Sequence, residues 1–237
     1  LEGKMWDSPQ RPFGGAEDFV WSPDSSQLLY VTKPLSGAEY AQSTNTDIFS
    51  YNLNSGTSQN LTESNKGYDV GPKFSPDGKT LLWMSMERDG YEADKNDIKI
   101  MDWKSHKVSN LTKDWDESVV GDVFWTPDSK TLYFTTAFRG TKQLFSLNPK
   151  TAKIQQITQG DFDVTSIYAQ NKNALLVGRT DMNHNADLFS VDLKKGTMNQ
   201  VTEVNKQNYA KITPSQTEPK MVKPTDGKGQ GVWCVYT

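Results

Sequence analysis

The chain has 237 residues, of which 35% are hydrophobic, and its formal net charge is −3. This slightly acidic balance provides no overall basic field to attract nucleic acid, and no run of about 18 apolar residues is present to cross a membrane. The sequence therefore excludes a nucleic-acid-binding protein and a membrane-spanning helix. Its length suits one large all-β domain or two smaller domains.

Residues 1–15 come first in chain order and contain no apolar stretch that could serve as a signal peptide. The chain begins with Leu1 rather than Met, so we expect it to start inside a longer protein. We interpret residues 1–15 as a connector from a preceding structural repeat.

Four repeated segments follow this connector. Each contains a turn, built on Pro-Asp in the first three, then an apolar strand, a strand of alternating apolar and polar residues, and a short strand that ends in threonine. The closing threonines are Thr62, Thr112, Thr158 and Thr202. The predicted repeats span residues 16–66, 67–114, 115–160 and 161–204, and residues 205–237 form a closing or exit segment.

Each repeat is expected to hold four antiparallel strands, because one further strand precedes the turn. Four-stranded units of about 40–50 residues without helices are typical of β-propeller blades. We therefore predict an all-β fold, a β-propeller of four-stranded antiparallel blades, with four complete blades that belong to a larger ring. A tandem of immunoglobulin-like sandwiches is the alternative, but the constant position of the Pro-Asp turn favours the propeller.

Two Asn-Leu-Thr triplets, at Asn60 and Asn110, match the acceptor pattern for N-glycosylation. Both lie where every repeat ends in an aliphatic residue followed by threonine. We therefore assign the triplets to the structure of the repeat and not to glycosylation.

The long loops all join the second strand of a blade to its third strand. They cover residues 33–46, 87–96, 138–142 and 180–186. Because strand direction alternates along a blade, these loops share one face of the fold, and the other face carries tight turns. Binding residues concentrate on loops held by a rigid scaffold, so we predict that the functional surface lies on the face with the long loops.

The loop at residues 87–96 carries the candidate binding residues. Glu87, Glu92 and Asp94 are suited to hold a cationic group of a substrate by charge-assisted hydrogen bonds. Arg88 and Tyr91 are expected to support them. The alternative is a solvated, charged loop with internal ion pairs.

No catalytic residue and no cofactor site is predicted. The chain lacks Gly-x-Ser-x-Gly, so His106 and His184 have no obvious nucleophile to serve. The segment "DMNHNAD" alternates polar residues somewhat like a calcium loop, but Ala186 stands where that loop needs glycine. No zinc-ligand spacing occurs, and the single Cys234 excludes an internal disulfide.

Longer segments resemble a known family over nearly the whole chain. "WSPDSSQLLYV", "FSPDGKTLLWMSMERDGYEADKNDI" and "WTPDSKTLYFT" are similar to the propeller of prolyl oligopeptidase family serine peptidases. "PFGG", "AEYAQSTNTDIFSYNL" and "MERDGYEADKNDI" are typical of the branch of bacterial dipeptidyl-peptidase V and the acylaminoacyl peptidases. The tail "TDGKGQGVWCVYT" resembles the strand that enters the α/β-hydrolase domain in such enzymes, although Gly229 and Gly231 replace bulkier residues.

This resemblance implies a parent serine exopeptidase that releases dipeptides from peptide N-termini, in a bacterial periplasm or secreted. Its catalytic Ser, Asp and His would lie outside this chain, in an α/β-hydrolase domain of the same parent chain. The propeller of such enzymes caps the active site, limits substrate size and helps to bind the α-amino group of the peptide substrate. Glu87, Glu92 and Asp94 are then the candidates for that amine. Whether the parent forms a homo-oligomer stays open.

A second function stays open beside the peptidase. The Pro-Asp turns alone also fit TolB-like, PD40-type propellers, which act as protein-binding modules in the cell envelope. A Gly-x-Ser-x-Gly motif encoded after Thr237 would favour the peptidase, and a stop codon there would favour the binding module.

Overall fold

The computed structural model describes residues 3–10, 14–222, 225 and 231–236. Within these residues the helices are a 3-10 turn at Ala16–Asp18, α1 (Gly37–Gln42) and α2 (Lys206–Tyr209). The strands are β1 (Phe19–Trp21), β2 (Gln27–Thr32), β3 (Asp47–Asn52), β4 (Ser58–Asn60), β5 (Asp69–Phe74), β6 (Thr80–Ser85), β7 (Asp97–Asp102), β8 (Val108–Asn110), β9 (Val119–Trp125), β10 (Leu132–Phe138), β11 (Thr141–Leu147), β12 (Ile154–Gln156), β13 (Asp163–Asn171), β14 (Ala174–Thr180), β15 (Asp187–Asp192), β16 (Met198–Gln200), β17 (Thr217–Val222) and β18 (Gly231–Tyr236).

The strands form four antiparallel sheets of four strands each, in the orders β1-β2-β3-β4, β5-β6-β7-β8, β9-β10-β11-β12 and β13-β14-β15-β16. Each sheet is therefore an up-and-down blade, and the predicted all-β class is confirmed. A fifth, two-stranded sheet pairs β17 with β18 in the segment predicted to be an exit strand. Gly229, one of the two unusual glycines of that tail, lies outside the described residues. No helix in the described part of the chain is long and apolar enough to cross a membrane.

The chain divides into two compact units. The first unit contains residues 1–119 with 127–129, and it holds the first two blades. In its core, aliphatic side chains of β2 and β3 pack against the apolar face of β6 and β7. The buried members are Leu29, Val31, Ile48, Leu81, Trp83 and Met101.

The second unit contains residues 120–126 with 130–237, and it holds the third and fourth blades. Its core also lies between two neighbouring sheets. The buried members are Tyr133, Leu144, Val164, Leu175, Val177 and Val191. In both units, therefore, one blade buries its apolar face against the next, as blades without internal cores must do.

The Pro-Asp turn between the first and second strands of a blade is held by its own polar side chains. In the second blade the Ser75 hydroxyl donates to Asp77 at 2.7 Å and accepts the amide of Thr80 at 3.0 Å. The residue after the aspartate is left-handed, with φ of 70° at Gly78, and Ser25 and Ser129 adopt the same conformation in the first and third blades. This shared backbone conformation explains why Gly or Ser follows Pro-Asp in the repeat.

A threonine, buried in the first three blades and half-buried in the fourth, joins the last strand of each blade to the start of its third strand. In the second blade the Thr112 hydroxyl donates to Asp97 Oδ1 at 2.8 Å and accepts the amide of Ile98 at 2.9 Å. We call this pair of hydrogen bonds the threonine lock. The corresponding pairs of threonine and acceptor are Thr62 with Asp47, Thr158 with Gln143, and Thr202 with Asp187, and each threonine also accepts the next amide.

The asparagine of each Asn-Leu-Thr triplet also has a structural task. Asn60 Oδ1 accepts the amide of Thr62 at 3.0 Å, and Asn110 Oδ1 accepts the amide of Thr112 at 3.0 Å. Asn110 additionally donates to Asp97 Oδ2 at 2.8 Å. These bonds give a physical reason for the triplets within the repeat.

The connections between second and third strands differ in length more than expected. The first, at 33–46, contains α1, although the repeat pattern predicted no helix. The prediction of a loop over 138–142 was wrong, because β10 and β11 are joined by Arg139 and Gly140 alone. Both of these residues have positive φ, 52° and 87°, which is the conformation of a two-residue hairpin turn.

The threonine lock predicts a specific loss of stability. Thr112→Val keeps the shape of the side chain but leaves the buried amide of Ile98 without its acceptor. We expect the free energy of unfolding to fall by about 2–4 kcal/mol, measured by urea denaturation. Thr112→Ser is the matched control, because it keeps the hydroxyl and should recover most of this loss. Equal stability of the two variants would contradict the lock.

Candidate functional site

The acidic loop, residues 86–96, joins β6 to β7 on the face predicted to be functional. It contains all five candidate binding residues. The side chains of Glu87, Arg88, Tyr91 and Glu92 are exposed, and Asp94 is half-buried. The structure thus presents four of the five candidates to solvent and turns one inward.

Three of the candidates bind one another within the loop. The Arg88 guanidinium lies 2.7 Å from Asp94 Oδ1, and the Arg88 amide donates to Asp94 Oδ2 at 2.9 Å. The same guanidinium stacks 4.1 Å from the centre of the Tyr91 ring. The hydrogen bond from Arg88 holds the pKa of Asp94 far below its usual range. Asp94 therefore has its charge satisfied inside the loop.

Glu87 and Glu92 behave differently from Asp94. Both are exposed, and neither makes a hydrogen bond or an ion pair with another described residue. Their carboxylates are consequently the two predicted acids that can take up a cation without first breaking an internal bond.

The fourth acid of the loop, Asp89, links it to the preceding blade. Asp89 Oδ1 accepts hydrogen bonds from the Ser43 hydroxyl at 2.7 Å, the Thr44 amide at 2.8 Å and the Asn45 amide at 3.2 Å. In return, the Thr44 hydroxyl accepts the amide of Gly90 at 2.9 Å. Sequence reasoning did not assign this role to Asp89. The only sequence signal was the run of small hydroxyl and amide residues at 43–46.

Lys33 places a positive charge beneath these two loops. It is only 7% exposed, and its ammonium donates to the carbonyls of Tyr40 at 3.1 Å and Ser43 at 2.6 Å. Burial lowers the pKa of Lys33, and the negative charges of Asp89 and Glu92 oppose that shift. The acidic loop therefore lies next to a cation that offsets part of its negative charge.

The start of the acidic loop is anchored by the segment that precedes β5. The Met86 amide donates to the Tyr68 carbonyl at 2.9 Å, and Asn65 Nδ2 donates to the Met86 carbonyl at 2.8 Å. Gly67 packs so closely that a Cβ there would lie 2.3 Å from the Met86 carbonyl oxygen. A glycine is required at this close approach.

The end of the loop is anchored by Lys95. Its ammonium donates to the carbonyls of Thr112, Lys113 and Trp115 at 2.9–3.0 Å and lies 3.0 Å from Asp97 Oδ1. Both ends of the acidic loop are thus held by backbone groups of the neighbouring connections, and Glu87 and Glu92 project from a fixed segment.

A buried carboxyl lies below the start of the loop. Asp69 is fully buried at the beginning of β5 and accepts the indole N–H of Trp83 at 2.7 Å. Burial raises the pKa of Asp69 to about 6, although the hydrogen bonds from Ser85 and Trp83 and the charge of Lys99 act in the opposite direction. This group titrates within the range that affects stability near neutral pH.

The two histidines lie in turns, as predicted. His106 occupies the tight turn between β7 and β8 with φ of 56°, and its ring lies against Trp103. His184 lies between β14 and β15, with Nδ1 2.8 Å from Asp181. Among the described residues no group of three or more metal-ligating side chains comes together.

Comparison with known proteins places this fold in a family. Residues 18–228 match the family described as the TolB beta propeller domain, PD40, and the chain belongs to it. The predicted β-propeller is confirmed by this match. The chain is 39% identical to Dipeptidyl-peptidase 5 of Porphyromonas gingivalis, over 99% of this chain and 34% of the relative. It is 36% identical to Dipeptidyl-peptidase 5 of Porphyromonas endodontalis, over 100% of this chain and 34% of the relative.

The chain therefore spans about a third of the length of these curated relatives. The resemblance to the propeller of dipeptidyl-peptidases is confirmed. A solved structure, the Pyrococcus horikoshii acylaminoacyl peptidase, is similar in fold with a TM-score of 0.67 and 18% identity, over 88% of this chain and 30% of that one.

The buried carboxyl predicts a pH-dependent stability. The folded chain holds the Asp69 proton more tightly than the unfolded chain, so the contribution of Asp69 to stability falls as pH rises from about 4 to about 6 and is constant above pH 7. Asp69→Asn cannot titrate. The stability of this variant relative to wild type should therefore rise by up to about 3 kcal/mol over that range, measured by urea denaturation at each pH. A difference that does not change between pH 4 and 7 would contradict this prediction.

The link made by Asp89 predicts a local effect on amide exchange. Asp89→Ala removes the acceptor of the Thr44 amide, and we expect hydrogen exchange at this amide to accelerate about tenfold, whereas the Asn45 amide keeps Ser43 Oγ as an acceptor at 3.0 Å. Glu87→Ala is the control, because that side chain has no hydrogen-bond partner among the described residues. Equal protection of the Thr44 amide in all three proteins would rule out the link.

Proposed function

We propose that this propeller is part of a parent serine peptidase that releases dipeptides from peptide N-termini. The support comes from two relatives named Dipeptidyl-peptidase 5, which are 39% and 36% identical over almost the whole chain. The chain spans about a third of each relative, so a catalytic α/β-hydrolase domain would be supplied by the rest of the parent chain. A periplasmic or secreted location belongs to the same proposal.

The propeller acts in this proposal as a cap that limits substrate size. The connections at 33–46, 86–96 and 181–186 all join second to third strands, and they are longer than the turns at the opposite ends of the strands. Long connections on one side of a rigid sheet are the usual carriers of binding residues. We therefore place the substrate-facing surface on this side of each blade.

Within that surface, Glu87 and Glu92 bind the α-amino group of the peptide. The observation that carries this assignment is their state in the structure, since both are exposed and neither is paired with a described residue. The anchored ends of the acidic loop limit the conformational freedom that binding would have to remove. A carboxylate that accepts hydrogen bonds from an ammonium forms one of the stronger contacts available to a peptide N-terminus.

The other candidates act as positioning residues. Asp94 holds Arg88, and Arg88 stacks on Tyr91, so this trio sets the path of the backbone between Glu87 and Glu92. The Tyr91 ring is 48% exposed and offers an apolar surface beside the two acids. Asp94 was predicted as an amine ligand, and its bond to Arg88 makes it the weakest of the three acids for that role.

A kinetic measurement on the parent enzyme tests this proposal. Glu87→Gln and Glu92→Gln should each raise KM for a chromogenic dipeptide substrate with a free α-amine by about tenfold, with kcat nearly unchanged, because one charge-assisted hydrogen bond is lost. Glu63→Gln is the control, since it changes an exposed acid outside the acidic loop.

Three outcomes would count against the proposal. If neither substitution changes KM, the acidic loop does not bind the amine. Turnover by the 237-residue chain alone would show that a catalytic site has been missed, and absence of turnover by the parent protein would favour a TolB-like binding module.

A further inference from the structure

The second unit contains a cavity that the amine-binding assignment does not use, although the connection beside it belongs to the side proposed to face the substrate. It lies at the β14–β15 connection, next to α2, and has a volume of about 360 Å³. This is within the size range of pockets that bind small ligands. Its walls include Arg179, Asp181, His184, Phe189, Lys206 and Tyr209, and we call it the fourth-blade cavity.

Arg179 is held in this cavity by two aromatic rings. Its guanidinium lies 4.3 Å from the centre of the Phe162 ring and 4.7 Å from the centre of the Phe189 ring. Arg179 is half-buried, and its guanidinium makes no hydrogen bond or ion pair with another described residue. These two contacts hold the guanidinium against the rings and leave its N–H groups available to a ligand.

The other charged groups of the cavity wall are already engaged. His184 lies 2.8 Å from Asp181, and Lys206 lies 2.5 Å from Glu203. Within the described residues, Arg179 is therefore the one charged side chain of this wall without a hydrogen-bonding or ionic partner.

Asp187 lies directly opposite Arg179 in the strand register, yet it does not pair with it. Its Oδ1 accepts the Thr202 hydroxyl at 2.6 Å and the Val204 amide at 3.2 Å. The Asp187 carboxylate therefore takes part in the threonine lock of the fourth blade, and no hydrogen bond or ion pair joins it to the Arg179 guanidinium.

Two departures from the repeat create this arrangement. Arg179 stands in the second strand opposite the acceptor of the lock. The other three blades have a small hydroxyl residue at this position, namely Thr32, Ser85 and Thr136. In the third blade, the acceptor of the lock is Gln143 and not an aspartate. Gln143 Nε2 donates to the Phe162 carbonyl at 2.8 Å and so positions the backbone of one of the two rings.

We propose that the fourth-blade cavity binds a carboxylate of a short peptide through Arg179. A planar guanidinium matches a carboxylate in two parallel hydrogen bonds, which an ammonium cannot do. The His184 and Tyr209 rings, edge to face with centres 4.9 Å apart, provide apolar surface for the rest of the peptide. The carboxylate comes from the peptide C-terminus or from an acidic side chain.

Calorimetric titration of the 237-residue chain with three blocked peptides tests this proposal. The probes are N-acetyl-Ala-Ala-Ala with a free carboxylate, the same peptide as its carboxamide, and N-acetyl-Ala-Asp-Ala-carboxamide. We expect the carboxamide without Asp to bind about tenfold more weakly than at least one of the other two. The pattern among the three identifies the source of the carboxylate.

Variants of arginine provide the control. Arg179→Gln should weaken binding of the preferred peptide about tenfold or more, and Arg179→Lys, which keeps the charge, should recover only part of it. Arg139→Gln is matched, because Arg139 also lies over a phenylalanine ring in the same unit, and it should bind as wild type does. Thermal unfolding of each variant checks that the fold is kept.

Equal binding of all three peptides, binding of none, or unchanged affinity in Arg179→Gln and Arg179→Lys would overturn the proposal. The acetylated peptides have no α-amine, so these results do not depend on Glu87 or Glu92. Failure here therefore leaves the amine-binding proposal to its own kinetic test.

Discussion

The threonine lock is the interaction on which the rest of this structure depends. The last strand of every blade is only three residues long, so the strand ladder alone gives it few hydrogen bonds. The buried hydroxyl that follows this strand bonds to the side chain and to the next amide at the start of the third strand. Because the same residue also begins the connection to the following blade, the lock fixes where that connection starts. The loops are consequently built between fixed points.

The four acids of the acidic loop have different roles, although their side chains carry the same charge. Asp89 joins the loop to residues 43–45, and Asp94 holds Arg88, so half of its acids maintain its shape. Glu87 and Glu92 remain exposed and unpaired with other described residues. The bonds made by Asp89 and Asp94 order the loop before a ligand binds. Binding at Glu87 or Glu92 therefore loses less conformational entropy.

The fourth blade likewise holds a charged group on an ordered scaffold, unpaired within the described part of the chain, and here the group is a cation. Asp187 takes part in the lock and makes no ion pair with Arg179, and the guanidinium lies against two phenylalanine rings. Replacement of the acid by Gln143 in the third blade keeps the lock and adds donors that hold the Phe162 backbone. Residues that depart from the repeat are therefore candidates for function, since the residues that recur in every blade already account for its stability.

The sequence by itself determined the blades, their turns and the positions of the closing threonines, because these depend on bonds between residues 2 to 15 positions apart that recur in each repeat. It also identified the acidic loop by its length and charge. Only the tertiary structure separated its acids by role. Asp89 finds its partners 44 to 46 positions earlier in the chain, and the rings around Arg179 come from different strands and connections. A paired carboxylate and an unpaired carboxylate are indistinguishable in the sequence. They differ in the distance to a partner group, and only folding of the chain sets that distance.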